Sequence, residues 1–198
     1  MEQKKYLIAD ARKEQIMKAA IAVLAEIGYK STSLSVIADK AEVSTGLISY
    51  HFSGKADLMN NTLLYLIEQQ RDYIMEKVNK ETTYTDKLIA FVQASVEYQD
   101  INRNMNTTAL LEIVFNERTE DNVPYYKAEV SKEDELNVCL KEILLNGQQA
   151  KEFGEFDHAV VITIIRGGLA GTMSVPASDP DRNEYSDKLV KSFLKMVL

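Results

Sequence analysis

Regularly spaced apolar residues near the amino end constrain the fold more than any other feature of the sequence. Two segments repeat apolar side chains at intervals of three and four, which is typical of helices with one buried face. The first contains Ile16, Ala20, Val23, Leu24 and Ile27, and the second contains Leu34, Ile37, Ala38 and Ala41. Gly28 suits the left-handed position that ends a helix, and Thr32 and Ser33 carry hydroxyl groups that can cap the next one. The pattern predicts two consecutive amphipathic helices.

A third, shorter helix is predicted over residues 44–51, with Ser44 as its cap. Leu47 and Ile48 form its apolar side, and small or ring-bearing polar residues form the other. These outward residues are Thr45, Gly46, Ser49 and Tyr50. Taken alone, the segment fits an ordinary short surface helix. After two helices and a short turn, it fits the second helix of a helix-turn-helix unit, which enters the DNA major groove.

In this order, the elements resemble the TetR (tetracycline-repressor) family of bacterial transcription regulators. The matching residues cover about the first quarter to third of the chain and include Tyr29, Ser31-Thr32-Ser33, Val36-Ile37-Ala38, Ala41, Val43-Ser44, Gly46, Ile48, Ser49-Tyr50-His51-Phe52, Ser53-Gly54-Lys55 and Leu58. The remainder is similar only in its helical pattern and length. Glu42 departs from the family, which often has glycine there, and a non-glycine residue in a left-handed turn costs about 1 kcal/mol.

The resemblance implies an all-α fold with two parts. Residues 1–54 would form a three-helix, homeodomain-like DNA-binding head, and residues 55–198 a helical bundle for ligand binding and dimerisation. It also implies that His51 and Lys55 contact the DNA backbone, although His51 could instead be a core residue. The predicted DNA contacts are Ser33, Ser35, Ser44, Thr45, Gly46, Ser49, Tyr50, His51 and Lys55. Thr45 and Ser49 are chemically ambiguous base readers, so the sequence does not predict an operator.

The distribution of charge bears on how DNA could be held. The chain has a formal net charge of -7, but residues 1–58 contain eight Lys and Arg against seven Asp and Glu, so the acidity lies in the remainder. A nearly neutral head gains little sequence-independent attraction to phosphates. We therefore expect affinity to come from two heads acting together.

Composition indicates a globular protein. With 198 residues and 45% hydrophobic side chains, the chain can bury a substantial core. No apolar run approaches the roughly 20 residues that cross a bilayer, and the amino end does not resemble a signal peptide, so we expect a cytoplasmic protein. Cys139 is the only cysteine. It is expected to be a small buried hydrophobe rather than a redox sensor.

Helical periodicity continues beyond the head. The predicted helices run from residue 53 or 54 to about 79, and over 86–103, 106–116, 125–146, 157–174 and 183–197, with a loop at 119–124 and with Gly147 stopping the fourth of them. The segment 157–174 is apolar on several faces and contains three glycines, which normally cost about 1 kcal/mol each inside a helix. Close approach of another helix would compensate for that cost.

We expect the last two helices to form a homodimer interface, mainly because the family resemblance implies it. The residues assigned to it are Ile164, Gly168, Gly171, Leu189 and Phe193. The alternative is that both helices pack only within one monomer.

A ligand-responsive repressor is the function that the resemblance implies, with a small-molecule effector among the middle helices. Candidate pocket residues are Phe91, Tyr98, Met105, Leu111, Phe115, Tyr126 and Arg166, although ordinary core packing explains each of them as well. Arg166 is a charge in an apolar helix. It could pair across the dimer, extend to water, or meet an anionic or carbonyl-bearing ligand.

Catalytic and metal-binding signals are weak. Glu155 and His158 have a spacing used in di-iron bundles, but those sites need the motif twice, so a chance occurrence is favoured. No nucleophile-elbow, phosphate-loop or paired-cysteine motif occurs. We therefore expect no enzymatic activity, cofactor or metal. Two rival hypotheses remain, namely an orphan DNA-binding regulator without an effector and a helical scaffold or enzyme that reuses the fold.

Overall fold

The computed structural model describes residues 2–119, 121–125, 134–176, 179 and 182–198. Within these ranges the secondary structure is helical apart from an isolated bridge between Arg118 and Pro124, which confirms the all-α prediction. A short π-helical segment, Arg103–Thr107, precedes α6. The helices are α1 (Glu2–Ser31), α2 (Leu34–Lys40), α3 (Thr45–His51), α4 (Lys55–Val78), α5 (Tyr84–Ile101), α6 (Thr108–Asn116), α7 (Glu135–Gln149), α8 (His158–Thr172) and α9 (Arg182–Val197).

The chain divides into two compact units. The first comprises Met1–Glu68 and Asn102–Glu129, and the second comprises Gln69–Ile101 and Val130–Leu198. The division therefore falls within α4 and not at the predicted boundary between residues 54 and 55. The first part of α4 buries Leu58, Met59 and Leu66 in the core of the first unit, and α6 packs against α1, so both belong with the helix-turn-helix segment. The assignment of DNA binding to residues 1–54 and of ligand binding to residues 55–198 stays a prediction.

Local signals in the first unit act largely as the sequence predicts. Gly28 interrupts the helical backbone of α1 with φ 72° and ψ 169°, a conformation that L side chains rarely adopt. Ser33 caps α2 by accepting a hydrogen bond from the Val36 amide, and Ser44 caps α3 by accepting one from the Leu47 amide. Glu42 adopts φ 55° between these helices, so the turn is left-handed without glycine.

The core of the first unit joins α1, α2, α3, the start of α4 and α6. Its largest fully buried side chains are Ile16, Leu24, Ile37, Ile48, Leu58, Met59 and Ile113, with Leu66 almost as deeply buried. Ile48 is the inward residue of α3, so burial of this one side chain sets which face of the helix remains outside. The unit thus fixes the orientation of α3.

The second unit packs α5, α7, α8 and α9 around a separate core centred on Phe91, Leu140 and Ile165. Two predictions about α7 are wrong. A continuous helix over 125–146 is excluded by Asp134, which has an extended backbone and caps α7 by accepting a hydrogen bond from the Leu136 amide. Residues 126–133 lie outside the described residues. Gly147 does not stop the helix but lies within it, and an added Cβ there would come within 2.2 Å of the Phe153 ring.

None of the described helices combines the length and apolar character needed to cross a membrane. Cys139 lies in the core of the second unit, as predicted, and burial raises the pKa of its thiol.

Candidate nucleic-acid interface and ligand cavity

The outward face of α3 is accessible and uncharged. Thr45, Gly46, Ser49 and Tyr50 are all exposed, and Tyr50 retains 78% of its accessible surface. Ile48, on the opposite side, is completely buried. The predicted sidedness of this helix is therefore confirmed, while the DNA contacts themselves stay a prediction.

Gly46 lies in the first turn of α3 in an ordinary helical conformation. A Cβ added to it would meet no atom closer than the Ser44 hydroxyl oxygen at 3.8 Å. The fold therefore does not require glycine at this position. A surface that must come very close to another molecule would require it.

The serines at the starts of α2 and α3 form hydrogen bonds within the chain. The Ser33 hydroxyl oxygen lies 3.3 Å from the Val36 amide nitrogen and 2.9 Å from the Ser35 hydroxyl oxygen. The Ser44 oxygen lies 3.2 Å from the Leu47 amide nitrogen. In accepting this bond, Ser44 keeps its hydroxyl proton for donation, so capping and a contact to a phosphate oxygen are compatible.

The Lys55 ammonium group contacts its own chain and does not simply extend toward a DNA phosphate. It donates to the Tyr29 carbonyl oxygen at 2.8 Å and lies 3.9 Å from the centre of the Tyr29 ring. Burial lowers the pKa of Lys55, and the nearby Glu117 carboxylate opposes that effect. Lys55 thus links the start of α4 to the end of α1. His51 is half-buried and packs edge-on against Tyr50, with the two ring centres 5.0 Å apart. Their joint phosphate clamp stays a prediction.

Tyr29 also connects the end of α1 to α6. Its amide donates to a Glu112 carboxylate oxygen at 2.8 Å, and its hydroxyl donates to the carboxylate of the buried Glu117. Burial, reinforced by the Glu117 hydrogen bond, raises the pKa of Tyr29 well above its usual value. This network could not be predicted from the sequence, because its acidic members lie more than 80 residues from Tyr29 and no local pattern marks them.

A cavity of about 520 Å³ lies within the second unit. It is bordered by Gln70, Ser95, Gln99, Asn137, Ile162, Thr163, Arg166, Gly167, Leu169, Ala170 and Met173. Of the predicted pocket residues that the structure describes, Arg166 alone borders the cavity. The predicted set consisted mainly of aromatic and apolar residues and did not include the amide side chains of Gln70, Gln99 and Asn137.

Arg166 forms an ion pair within its own chain. One terminal guanidinium nitrogen donates to the Asp134 carboxylate at 2.7 Å, and both side chains are partly buried. Arg166 thus has an ion-pair partner within its own chain, and pairing across a dimer stays a prediction. Because Arg166 also borders the cavity, the remaining guanidinium protons are placed to donate to a ligand.

The other predicted pocket residues are not brought together. Phe91 is fully buried in the core of the second unit, and Tyr98 packs with its ring 5.5 Å from that of Tyr73. Met105, Leu111 and Phe115 belong to the first unit, where Met105 and Phe115 are exposed and Leu111 is half-buried. Tyr126 lies outside the described residues. None of the five described residues borders the cavity, because their apolar groups pack in the cores or face solvent.

The residues predicted to form the dimer interface fall into two groups. Gly168 accommodates Phe193, since an added Cβ would lie 2.9 Å from that ring, and Leu189 packs on the same core. These three residues pack within the chain, and their place in a dimer interface stays a prediction. Ile164 and Gly171 are exposed on α8.

The exposed face of α8 contains no charged residue. Its members are Ala159, Val160, Thr163, Ile164, Gly167, Ala170 and Gly171, of which Thr163, Gly167 and Ala170 also border the cavity. An added Cβ at Gly167 or Gly171 would meet nothing within 4 Å, so neither glycine is explained by packing within the chain. This outward α8 face is small, apolar and suited to close approach by another helix.

Among the described residues, no group of three or more His, Cys, Asp or Glu side chains is arranged to hold a metal ion.

Comparison with known proteins identifies the head. Residues 16–62 match the family model described as bacterial regulatory proteins, tetR family. The head is therefore similar to the DNA-binding region of tetR-family regulatory proteins. The match spans α2, α3 and the first turns of α4, so it covers the exposed α3 face described above.

Similarity to individual TetR-family proteins extends beyond the head in structure more than in sequence. The transcriptional regulator BetI of Vibrio parahaemolyticus serotype O3:K6 is 33% identical over 93 residues, which cover 47% of this chain and 41% of BetI. The chain spans between about a third and a half of the length of the first curated relatives that it matches.

Two solved structures share the fold over most of the chain. FadR of Bacillus halodurans, a fatty acid degradation regulator, superposes with a TM-score of 0.77 and 21% identity over 92% of this chain and 94% of its own. FadR of Bacillus subtilis, solved in complex with stearoyl-CoA, has a TM-score of 0.76 and 21% identity, covering 91% and 97%. At such identities the likeness establishes the fold alone.

Proposed function

We propose that this protein is a cytoplasmic, dimeric transcriptional repressor of the TetR family that binds an inverted-repeat DNA operator and is released by a small-molecule effector. The observation that carries DNA binding is the α3 face formed by Thr45, Gly46, Ser49 and Tyr50, which is exposed although the helix is anchored by buried Ile48.

The chemistry of this face fits the major groove. Short hydroxyl side chains and a glycine let the helix approach base edges closely, and the Tyr50 hydroxyl can reach a phosphate oxygen. No arginine is available on α3 for a two-point contact to guanine. Specificity then rests on close placement, contacts to thymine methyl groups and DNA shape.

Two heads are needed because one is nearly neutral in charge. The outward α8 face supplies the means of pairing them, since two copies of an uncharged helix face with glycines can pack closely about a two-fold axis. Such a dimer would place its two α3 helices in successive major grooves, about 34 to 36 Å apart.

Effector control is supported by the cavity in the second unit. A fully filled core would favour the orphan-regulator alternative, whereas this unit has space bordered by several polar side chains. Stearoyl-CoA in the Bacillus subtilis FadR structure supports effector binding for a protein of this fold. A single helix, α4, carries both Gln70, which borders the cavity, and Lys55, which ties the end of α1. Movement of α4 would supply the coupling, for which about 1 to 3 kcal/mol is typical.

Selection of bound sequences from a random duplex pool, at one fixed salt concentration, tests the DNA-binding proposal. We expect enrichment of an inverted repeat whose half-sites are one helical turn apart. Enrichment without effector response would favour the orphan regulator. No enrichment above non-specific binding would favour the helical scaffold and contradict the proposal.

A thermal-shift screen tests the effector proposal with the variant Arg166→Ala. A compound that stabilises the wild-type protein should stabilise this variant much less. Arg71→Ala is the matched control, because Arg71 also forms an ion pair in the second unit but does not border the cavity. Equal responses in wild type and Arg166→Ala would remove Arg166 from the ligand site.

A further inference from the structure

The lining of the cavity indicates what kind of molecule it takes. Six of its eleven lining residues are polar: Gln70, Ser95, Gln99, Asn137, Thr163 and Arg166. A hydrocarbon chain placed among them would remove water from these groups without replacing its hydrogen bonds. The lining therefore favours a polar ligand over an acyl chain.

Several of these polar groups already have partners that hold the fold. Gln99 donates to the Leu169 carbonyl at 3.1 Å and accepts from the Thr172 hydroxyl at 2.5 Å. The hydroxyl of Ser95 donates to the Phe91 carbonyl at 2.6 Å, and that of Thr163 to the Ala159 carbonyl at 2.8 Å. The Ser95 and Thr163 hydroxyl oxygens keep acceptor capacity for a ligand that donates hydrogen bonds.

Asn137 is different. Its side-chain oxygen Oδ1 is shielded from solvent and accepts no hydrogen bond from any described residue. A buried, unpaired amide oxygen destabilises a protein, so its presence beside a cavity calls for an explanation. Rotation of the side chain toward the cavity would let a ligand N–H or O–H group donate to it.

The ion pair beside the cavity indicates which charge a ligand should have. Asp134 already balances the Arg166 guanidinium at 2.7 Å, so the cavity does not need an anion for neutrality. A second carboxylate near this pair would also be repelled by Asp134. The remaining guanidinium protons suit a neutral carbonyl or hydroxyl oxygen.

We propose that the effector is a compact, uncharged, polar molecule that donates a hydrogen bond to Asn137 and presents a carbonyl or hydroxyl oxygen to Arg166. This inference rests on the proposed function in treating the cavity as the effector site. Binding is measured without DNA, so failure of operator selection and failure of this assignment are distinguishable.

The test uses the full chain and two sets of probes. One contains uncharged polar compounds, namely nucleosides, sugar lactones and hydroxylated amides, and the other contains stearate and stearoyl-CoA. We expect thermal stabilisation by at least one member of the first set, confirmed by calorimetric titration, and none by the second. Stabilisation by only the acyl probes, or by no probe in either set, overturns the proposal.

The variant Asn137→Leu separates a ligand-binding role from a structural one. Without ligand it should melt at a higher temperature than wild type, because the substitution removes an unpaired acceptor and keeps a similar volume. Its affinity for the identified polar probe should fall by about tenfold or more, the effect of losing one good hydrogen bond. Asn146→Leu is the control on the same helix, since Asn146 is also half-buried but does not border the cavity, and it should keep probe affinity within about twofold. Unchanged probe affinity in Asn137→Leu would overturn the assignment, whatever its melting temperature.

Discussion

Replacing Gly46 by alanine separates the needs of the fold from the needs of DNA binding. The added methyl group meets nothing closer than 3.8 Å within the protein, and the backbone is in the ordinary helical region. Alanine favours a helix over glycine by up to about 1 kcal/mol, so the free energy of unfolding should stay the same or rise by up to about that amount.

The same methyl group points to the side that would meet DNA. If α3 approaches base edges closely, the group displaces the helix and costs about 1–3 kcal/mol at each head, the range for one mismatched base pair. Across two heads the loss is about 2–6 kcal/mol. This corresponds to about 30-fold or more in affinity, because each 1.4 kcal/mol is tenfold.

Fluorescence anisotropy on the selected DNA at a fixed salt concentration measures this loss, and urea unfolding measures stability. Gly154→Ala is the control, because Gly154 is also exposed and an added Cβ there makes only ordinary contacts, at 3.5 Å or more. A Gly46→Ala variant that binds DNA as tightly as wild type would refute close approach by the start of α3.

Three further predictions concern the network, the dimer and the core. Tyr29→Phe should lower the free energy of unfolding by about 1–3 kcal/mol in urea at neutral pH, because it leaves buried Glu117 without its hydroxyl donor. Because the fold raises the pKa of Tyr29, the unfolded chain loses the Tyr29 hydroxyl proton at a lower pH than the folded chain does. The free energy of unfolding should therefore fall above about pH 10, and it should fall less in Tyr29→Phe. An equal pH dependence in the two proteins would contradict this reasoning. Ile164→Glu should make the protein monomeric in sedimentation experiments, whereas Ile67→Glu, at another exposed isoleucine, should not; an intact Ile164→Glu dimer would exclude the outward α8 face. Gly147→Ala should lower the melting temperature, at a cost of about 1–3 kcal/mol, because its Cβ would collide with an aromatic ring at 2.2 Å; an unchanged melting temperature would show that the ring moves freely.

Local chemistry explains why the head could be predicted from sequence. Ser33 and Ser44 act on amides three residues away, and Gly28 acts through its own backbone, so short patterns contain the necessary information. The exposed side of α3 follows from the position of Ile48 in a seven-residue helix.

Long-range chemistry explains what the sequence did not predict. The Tyr29 network depends on carboxylates from α6, and Gly147 serves packing against Phe153 rather than helix termination. The cavity likewise depends on which face of each helix of the second unit packs inward. Amphipathic periodicity identifies an apolar face, but it does not identify a polar residue such as Asn137 that borders a cavity.

Hydroxyl-radical footprinting of the protein on its selected DNA tests the central claim most directly. We expect two protected regions on one face of the duplex, centred about one helical turn apart, and both should be weakened together by Gly46→Ala. A single protected region, or protection that is the same on unselected DNA, would contradict paired insertion of α3 into the major groove.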